Sequence, residues 1–435
     1  MQILAEYALP IMLVVLVVTT IAGLPMGIAM IASSVLYLFI SGRDVGLGAE
    51  MVLNGIFGNF AAVAVPLFIF AANIMDAGKI SDRLLKFCLA LVGRSPGGMA
   101  QVNILTSLIF SGMSGSAISD AAGVGKVVND MMMREGRYPP GYAGALTAAT
   151  AVVGPIFPPS IPMVYYALVS SASIGALFLG GVVPALIIVA FQMVAAYFTA
   201  KRRGFPVEEA IPFRQFPLIF LRAFPALMMP VILLGGIYTG VFTPTEAAAV
   251  SAFYALLLAL FAYRTLGPRS FVGVVYATVK TTAVVSIVLC GAFVFNYVIA
   301  VERIPQMVYE FFAYYQMEAW LFLLLLNILF LILGCFLDVS TIQLVIVPLF
   351  IPTALALGID LVHLGVVLVL NMMIGLITPP MGMLLFVIKA VNDIPISAMI
   401  KELWPHLLLL IVVLFMITYI PDLVLWLPRQ AGAMQ

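Results

Sequence analysis

Apolar residues fill most of the chain, in stretches of the length that spans a bilayer, with short polar segments between them. A hydrocarbon core of ~30 Å needs about 20 apolar helical residues. On that scale the pattern predicts ten crossings, near 3–22, 24–41, 60–77, 141–170, 175–200, 221–241, 244–263, 281–301, 361–389 and 404–427. Two further apolar regions, 100–133 and 319–357, are each broken near the middle by glycine and small polar residues. Arms of 12 to 16 residues are too short to cross alone, so both regions read as re-entrant helical hairpins. Between the third span and the first hairpin, the segment SDRLLKFCLALVGR around Lys86 has the spacing of an amphipathic helix on the membrane surface.

Composition agrees with this all-α polytopic reading. Of the 435 residues, 64% are hydrophobic and 9% charged, whereas a soluble domain carries about 25% charged residues. Most of the outer surface must therefore face lipid. A net charge of +1 leaves no basic footprint for nucleic acid. Cys88, Cys290 and Cys335 lie far apart in apolar stretches and form neither a disulfide framework nor a metal-ligand spacing. Basic loops stay cytoplasmic. With the N-terminus outside, 17 of the 20 Lys and Arg residues fall inside, and only Arg43, Arg303 and Arg429 fall outside. Both termini are therefore expected outside.

The two halves echo each other at an offset of about 220 residues. GLPMGIAMIAS near Pro25 resembles VFTPTEAAAVS near Pro244, and FIFAANIMDAGKI from Phe68 resembles FVFNYVIAVERIP from Phe293. Pro158-Pro159 answers Pro379-Pro380, Gly112 answers Gly334, and Ser116 falls opposite Asp338. Each half holds five crossings and one hairpin, and an odd number inverts the second copy. Inverted repeats place a binding site at the midplane between them. The expected fold is thus two inverted repeats, their hairpin tips meeting near the centre.

Four breaks fall at matching positions. Non-helical backbone survives at membrane depth only when it is buried in protein or lines a cavity. The first break is the hairpin tip FSGMSGSAISD, with Ser111, Ser114, Ser116, Ser119 and the intramembrane carboxylate Asp120, a functional candidate by default. The second is GPIFPPSIP, from Gly154 to Pro162, where four prolines remove backbone donors. The third is LGCFLDVST, with Asp338, Ser340 and Thr341, and the fourth is GLITPPMG, with Thr378 and Asn371 one and a half to two turns before it. Hydroxyls, carboxylates and freed carbonyls are hard oxygen ligands suited to sodium. Protons could instead use Asp120 or Asp338. At Thr243-Pro244, Glu246 reads as the first-turn acid of a capped helix.

The segments FSGMSGSAISDAAGVG, GPIFPPSIPMVYY, GVFTPTEAAAV and NMMIGLITPPMGM resemble the signatures of the large membrane subunit of tripartite ATP-independent periplasmic (TRAP) transporters. The resemblance covers essentially the whole chain. It implies an elevator-type secondary transporter, not an enzyme, that uses sodium as coupling ion and no organic cofactor. The cargo would be a small organic acid, a C4-dicarboxylate, sialic acid or a similar carboxylate. The implied partners are a periplasmic substrate-binding protein and a small four-helix membrane subunit. That subunit is expected as a separate chain, since no such block precedes Met1. Carried over residue by residue, sodium site 1 would use Ser111, Ser114, Ser116, Val153, Gly154, Phe157 and Pro158. Sodium site 2 would use Gly334, Asp338, Gly375, Thr378 and Met381. Substrate would lie between the tips, against Ser114, Gly115, Ser116, Pro159, Ser160, Thr341 and Pro380. Scaffold helices would occupy 1–78 and, with a loop, 201–303. The transport domain would comprise 79–200 and 304–427, followed by a tail at 428–435.

Two other readings compete. Gly112-Met113-Ser114-Gly115 fits the GxSG pattern of rhomboid proteases, but a serine nucleophile needs a base in reach. The two histidines, His363 and His406, sit near span ends, away from the tip. Hairpins meeting at the midplane also occur in channels, which would pass ions without a coupled substrate.

Overall fold

The computed structural model describes residues 6–58, 61–78, 81–208 and 211–433. The start of the first predicted span, residue 60 of the third, Lys79 and the last two residues of the tail lie outside the described residues. Among the described residues the fold is entirely helical, with no strand. The chain opens with α1 (Ala8–Ile21), α2 (Met26–Ile40), α3 (Gly46–Phe57), α4 (Ala61–Ala77) and the amphipathic α5 (Ser81–Val92). A first hairpin follows, built from α6 (Gly98–Ser114), α7 (Ala117–Ala122) and α8 (Val124–Met133). Next come α9 (Pro140–Ala151), α10 (Ile161–Ser170), α11 (Ile174–Arg203) and α12 (Phe216–Tyr238). Then follow α13 (Pro244–Ala262), α14 (Pro268–Val301) and α15 (Ile304–Tyr314). A second hairpin of α16 (Ala319–Phe336) and α17 (Val339–Ala356) leads into α18 (Leu361–Gly375) and α19 (Met383–Asn392). The chain ends with α20 (Ile396–Tyr419) and α21 (Asp422–Gln430).

The ten predicted crossings correspond to α1, α2, α4, the α9–α10 pair, α11, α12, α13, α14, the α18–α19 pair and α20. Among the described residues seven helices are long and apolar enough to cross by themselves, or eight if the bent pair α3–α4 is one span. That seven includes α16 and α17, at 18 residues each. The expectation of 12 to 16 residues per arm is corrected for this hairpin, because its break is confined to Leu337 and Asp338. The arms touch through aromatic rings, with the Phe330 and Phe350 rings 6.0 Å apart. A pair of arms returns the chain to the side it came from, whether it dips or crosses, so later loops keep their side.

Several boundaries move, each for a local reason. α14 begins at Pro268 rather than 281, because a proline is tolerated at the first helical position and Gly267 precedes it in an extended conformation. The last predicted span, 404–427, is cut at Ile420, since Pro421 cannot donate to the helix behind it. α3 and α15 are short helices that the span-length reading did not predict. Thr243 and Glu246 form the expected capping box at the start of α13, and the Thr243 N–H donates to Glu246 Oε2 at 2.8 Å.

Small residues set the closest crossings, as expected where lipid supplies no hydrophobic drive between helices. A Cβ added at Gly291 of α14 would lie 2.6 Å from the Gly27 carbonyl oxygen of α2. One added at Gly141 of α9 would lie 2.6 Å from the Ala398 carbonyl of α20. In each half a polar pair ties the first hairpin arm to the broken helix. Asn103 Nδ2 donates to Thr147 Oγ1 at 2.7 Å, and Asn371 Nδ2 donates to Asn327 Oδ1 at 2.8 Å. α11 is the most central long helix, with 67% of its apolar window buried, against 22% for the peripheral α12. Gly291→Leu should force α14 away from α2 at a cost of about 1–3 kcal/mol. A lowered melting temperature of the detergent-solubilised protein measures this, and an unchanged one refutes the crossing.

Candidate functional site

The four breaks converge. α6 ends at Gly115, whose φ of +61° is a left-handed turn open to glycine. Ser116 then caps α7, accepting from the Ser119 N–H at 3.4 Å. On the second hairpin Asp338 occupies the same role, and its Oδ2 accepts from the Thr341 N–H at 3.0 Å and from Thr341 Oγ1 at 3.1 Å. The α9–α10 break spans 152–160, and Ser160 caps α10 by accepting from the Met163 N–H at 3.2 Å. The α18–α19 break ends at Gly382, φ +49°. Both proline pairs, Pro158-Pro159 and Pro379-Pro380, are joined by cis peptide bonds.

Between these breaks lies a cavity of about 370 Å³. Its wall takes Gly115, Ser116 and Ala117 from the first tip, and Asp338, Val339 and Ser340 from the second. Ile161 and Pro162 of α10 and Met383 of α19 complete the inner wall, and Thr281 and Val285 of α14 form a side. The first residues of α7, α10, α17 and α19 all line it, so four helix N-termini meet there. N-terminal N–H groups and the helix dipole favour an anion by ~0.3–1 kcal/mol each when exposed and up to ~2 kcal/mol when partly buried. Among the described residues no Lys or Arg lines the cavity. Tyr165 lies on the same wall, within interaction range of Asp338 and Ser340.

The predicted site residues divide by what they touch. Gly115, Ser116 and Asp338 face the cavity. Ser114 is buried, donates to Asp120 Oδ1 and accepts from the Ser116 N–H at 3.4 Å. Asp120 is also buried, and its Oδ2 has no hydrogen-bond partner. That oxygen points at Gly154, where an added Cβ would meet it at 2.6 Å. Ser111 donates to its own helix, to Ser107 O at 2.6 Å and Leu108 O at 2.9 Å. The Val153 carbonyl accepts from both Ile156 and Phe157 at 2.9 Å. Phe157 reaches Gly112, where an added Cβ would lie 3.3 Å from its ring. Ser160 donates to the Pro155 carbonyl, and Gly115 packs against Pro159, whose carbonyl would lie 2.4 Å from a Cβ at 115. Thus Ser111, Ser114, Asp120 and the 153–160 turn gather in one place, at the first tip. On the other side Gly334 and Gly375 are packed backbone to backbone, 2.7 Å from an added Cβ. Thr378 Oγ1 donates to Ile374 O at 2.7 Å, Asn371 is buried against Asn327, and Met381 and Pro380 are exposed. Among the described residues no three His, Cys, Asp or Glu side chains cluster as a metal site.

The span pattern missed what the flanking helices contribute. Asp76, on α4, accepts from Ser119 Oγ at 3.0 Å. Its place at the end of an apolar stretch is the signal that could have marked it. Thr281 stands out as a polar residue inside the long apolar α14. Neither histidine reaches the first tip: His363 Nε2 pairs with the Ile417 carbonyl at 2.8 Å, and His406 Nδ1 with Gln192 Oε1 at 2.6 Å.

A cavity walled by hairpin tips and interrupted helices inside a helical membrane body is the build of a secondary transporter. Residues 13–423 match the family described as "Tripartite ATP-independent periplasmic transporter, DctM component". The chain is 42% identical to the sialic acid TRAP transporter large permease SiaM of Vibrio cholerae over 94% of its own length and 95% of that protein's. It is 38% identical to the C4-dicarboxylate large permease DctM of Pseudomonas aeruginosa, over 86% and 87% of the two chains. With the sialic acid permease SiaT of Haemophilus influenzae it shares 34% identity over 96% of this chain and 68% of SiaT. The YdaH transporter of Alcanivorax borkumensis has a similar fold, with TM-score 0.59, 15% identity and coverage of 84% and 86%. The chain therefore belongs to the DctM family of TRAP transporter large permeases, and its relatives are transport proteins, not enzymes. Gly115→Ala would drive a methyl into the Pro159 carbonyl and strain a left-handed turn. It should reduce transport at least about tenfold with membrane insertion unchanged. Full activity in that variant would show that the first tip need not seat on the α9–α10 break.

Proposed function

We propose that this chain is the sodium-coupled permease subunit for uptake of a small organic acid, handed to it by a periplasmic substrate-binding protein. The observation that carries this reading is the meeting of four helix N-termini around a cavity that, among the described residues, no basic side chain lines. Such a site holds a carboxylate through backbone N–H groups and hydroxyls, Ser116 and Ser340 among them. The relatives are named for sialic acid, C4-dicarboxylates, 2,3-diketo-L-gulonate and isethionate, which are all organic anions.

An anion held by helix dipoles and hydroxyls beside the Asp338 carboxylate needs a cation to travel inward with it. Asp120 supports this at the first tip. A buried carboxylate oxygen without a donor costs several kcal/mol unless a cation or proton accompanies it. Sodium held by Ser111, Ser114 and the 153–158 turn would order the tip that carries Gly115 and Ser116 to the substrate. Gly334, Gly375 and Thr378 would serve the second tip. Ion and acid then favour the same state, and their coupling is reciprocal. The hairpins and broken helices move as the transport domain against a scaffold that includes α2 and α14. A small four-helix membrane subunit is its partner; of the relatives SiaT and the isethionate permease DctMQ this chain spans 68% and 66%. The protein sits in the inner membrane with both termini periplasmic, the orientation that the Lys and Arg distribution favours.

Uptake of radiolabelled organic acids into proteoliposomes, with the small subunit and the binding protein, tests the proposal. Uptake should require both an inward sodium gradient and the binding protein. Sodium leak without acid uptake would favour a channel. Ser114→Ala and Thr378→Val should each raise the half-maximal sodium concentration about fivefold, the equivalent of ~1 kcal/mol. An unchanged sodium response in both would remove the two assigned ion sites.

A further inference from the structure

A groove of about 520 Å³ opens on the outside of the helical body, between α5, the start of α6 and α11. Its walls are Leu91 and Val92 of α5 with Val194, Tyr197 and Phe198 of α11. Leu91, Val194, Tyr197 and Phe198 are all exposed, and among the described residues no element covers the groove. In a bilayer such a surface meets an acyl chain. One end of this groove also carries fixed charge.

α11 closes with Lys201, Arg202 and Arg203. Lys201 and Arg202 follow Tyr197 and Phe198 by one turn, on the same face. The opposite rim is the 93–97 turn. It is pressed onto the end of α11, since a Cβ at Gly97 would lie 2.5 Å from Ala200 Cβ. Arg94 stands exposed on that turn, with one guanidinium nitrogen on the Ile211 carbonyl at 2.7 Å. Arg94, Lys201 and Arg202 thus stand on the two elements that border one end of the groove. Among the described residues, Glu208 pairs with Arg137 at 3.0 Å and Glu402 with Arg203 at 2.8 Å. Arg94, Lys201 and Arg202 have no ion pair among the described residues.

Basic residues in a last helical turn also answer the helix dipole. That accounts for Lys201 and Arg202, but not for Arg94 on another element or for the apolar channel beneath all three. A further polar group lies at the groove. Gln101 is 3% exposed, its Nε2 donates to the Met193 carbonyl at 2.8 Å, and its Oε1 has no donor from the protein. It sits one turn into α6, just beyond the basic rim.

We infer that this groove is a binding site for one anionic glycerophospholipid. An acyl chain lies along Val194 and Phe198, the phosphodiester sits between Arg94, Lys201 and Arg202, and a headgroup or glycerol hydroxyl supplies the donor for Gln101. Basic pockets between membrane helices hold anionic lipid in this way. The site is independent of the substrate cavity and of what the permease carries.

Native mass spectrometry of the full chain, released from nanodiscs of phosphatidylcholine with and without phosphatidylglycerol, tests this. Phosphatidylglycerol should be retained in preference to phosphatidylcholine, as a single adduct. The pair Lys201→Gln and Arg202→Gln should cut that retention at least about tenfold, and so should Val194→Trp, which fills the groove and keeps every charge. Arg269→Gln, at the start of α14, should leave it unchanged. Melting temperatures in pure phosphatidylcholine identify any variant that has merely lost its fold. Equal retention of both lipids by the wild type overturns the proposal. So does loss on charge removal without loss in Val194→Trp, which means diffuse attraction at the surface. A photoreactive residue at position 198 that captures a protein in native membranes, rather than lipid, assigns the groove to a partner and overturns it as well.

Discussion

Inside a bilayer a peptide group has no water to turn to, and every departure from helical pairing must find its partners within the protein. This chain departs four times. The departures are sheltered together: the two hairpin tips and the two proline-rich breaks form one region, where Ser116, Ser160 and Asp338 supply the acceptors that the emerging helices need. Close packing of glycine against backbone, Gly115 on Pro159 and Gly375 on Gly334, brings the pieces near enough. The cavity is what remains between them. The constraint that forbids loose backbone in lipid thus concentrates capped helix N-termini at one spot, where their dipoles act beside the Asp338 carboxylate.

The sequence was most legible where it broke its own pattern. Clusters of glycine, proline and serine interrupting an apolar run marked both tips and both breaks, whereas single glycines elsewhere set helix crossings. The role of Ser116 and Asp338 as matching caps follows from their places in the two tips, and the structure supplies the bonds. Contributions from regular helices were harder to see. Tyr165 and Thr281 reach the cavity because of how α10 and α14 are placed, and a helical period alone does not say which neighbour a face will meet. Span ends were also weakly marked. α14 continues 13 residues before its predicted start because the added turns are apolar enough to look like loop or span equally. The short α3 and α15 carry too few residues to register on a scale set by bilayer thickness.

The polar side chains away from the cavity show a second economy. Asn103 with Thr147, and Asn327 with Asn371, join the hairpin arms to the broken helices by hydrogen bonds whose partners have no water to exchange with. Ser111 and Thr378 instead return their protons to their own helices, at 2.6 and 2.7 Å, which leaves their lone pairs facing outward. A hydroxyl arranged in this way is an acceptor by construction. The same residue type is therefore structural or ion-competent according to where its proton is parked.

The two-armed form of the hairpins bears on how such a protein can be made. A single crossing, if mis-inserted, inverts every loop that follows. A hairpin cannot do this, because it gives back the side it borrowed, at α8 as at α17. The segments that carry the most broken sequence are therefore the ones whose late or hesitant entry leaves the address of the remaining chain intact. A membrane protein can keep its chemically demanding parts and still be threaded in order, provided that those parts come in even numbers.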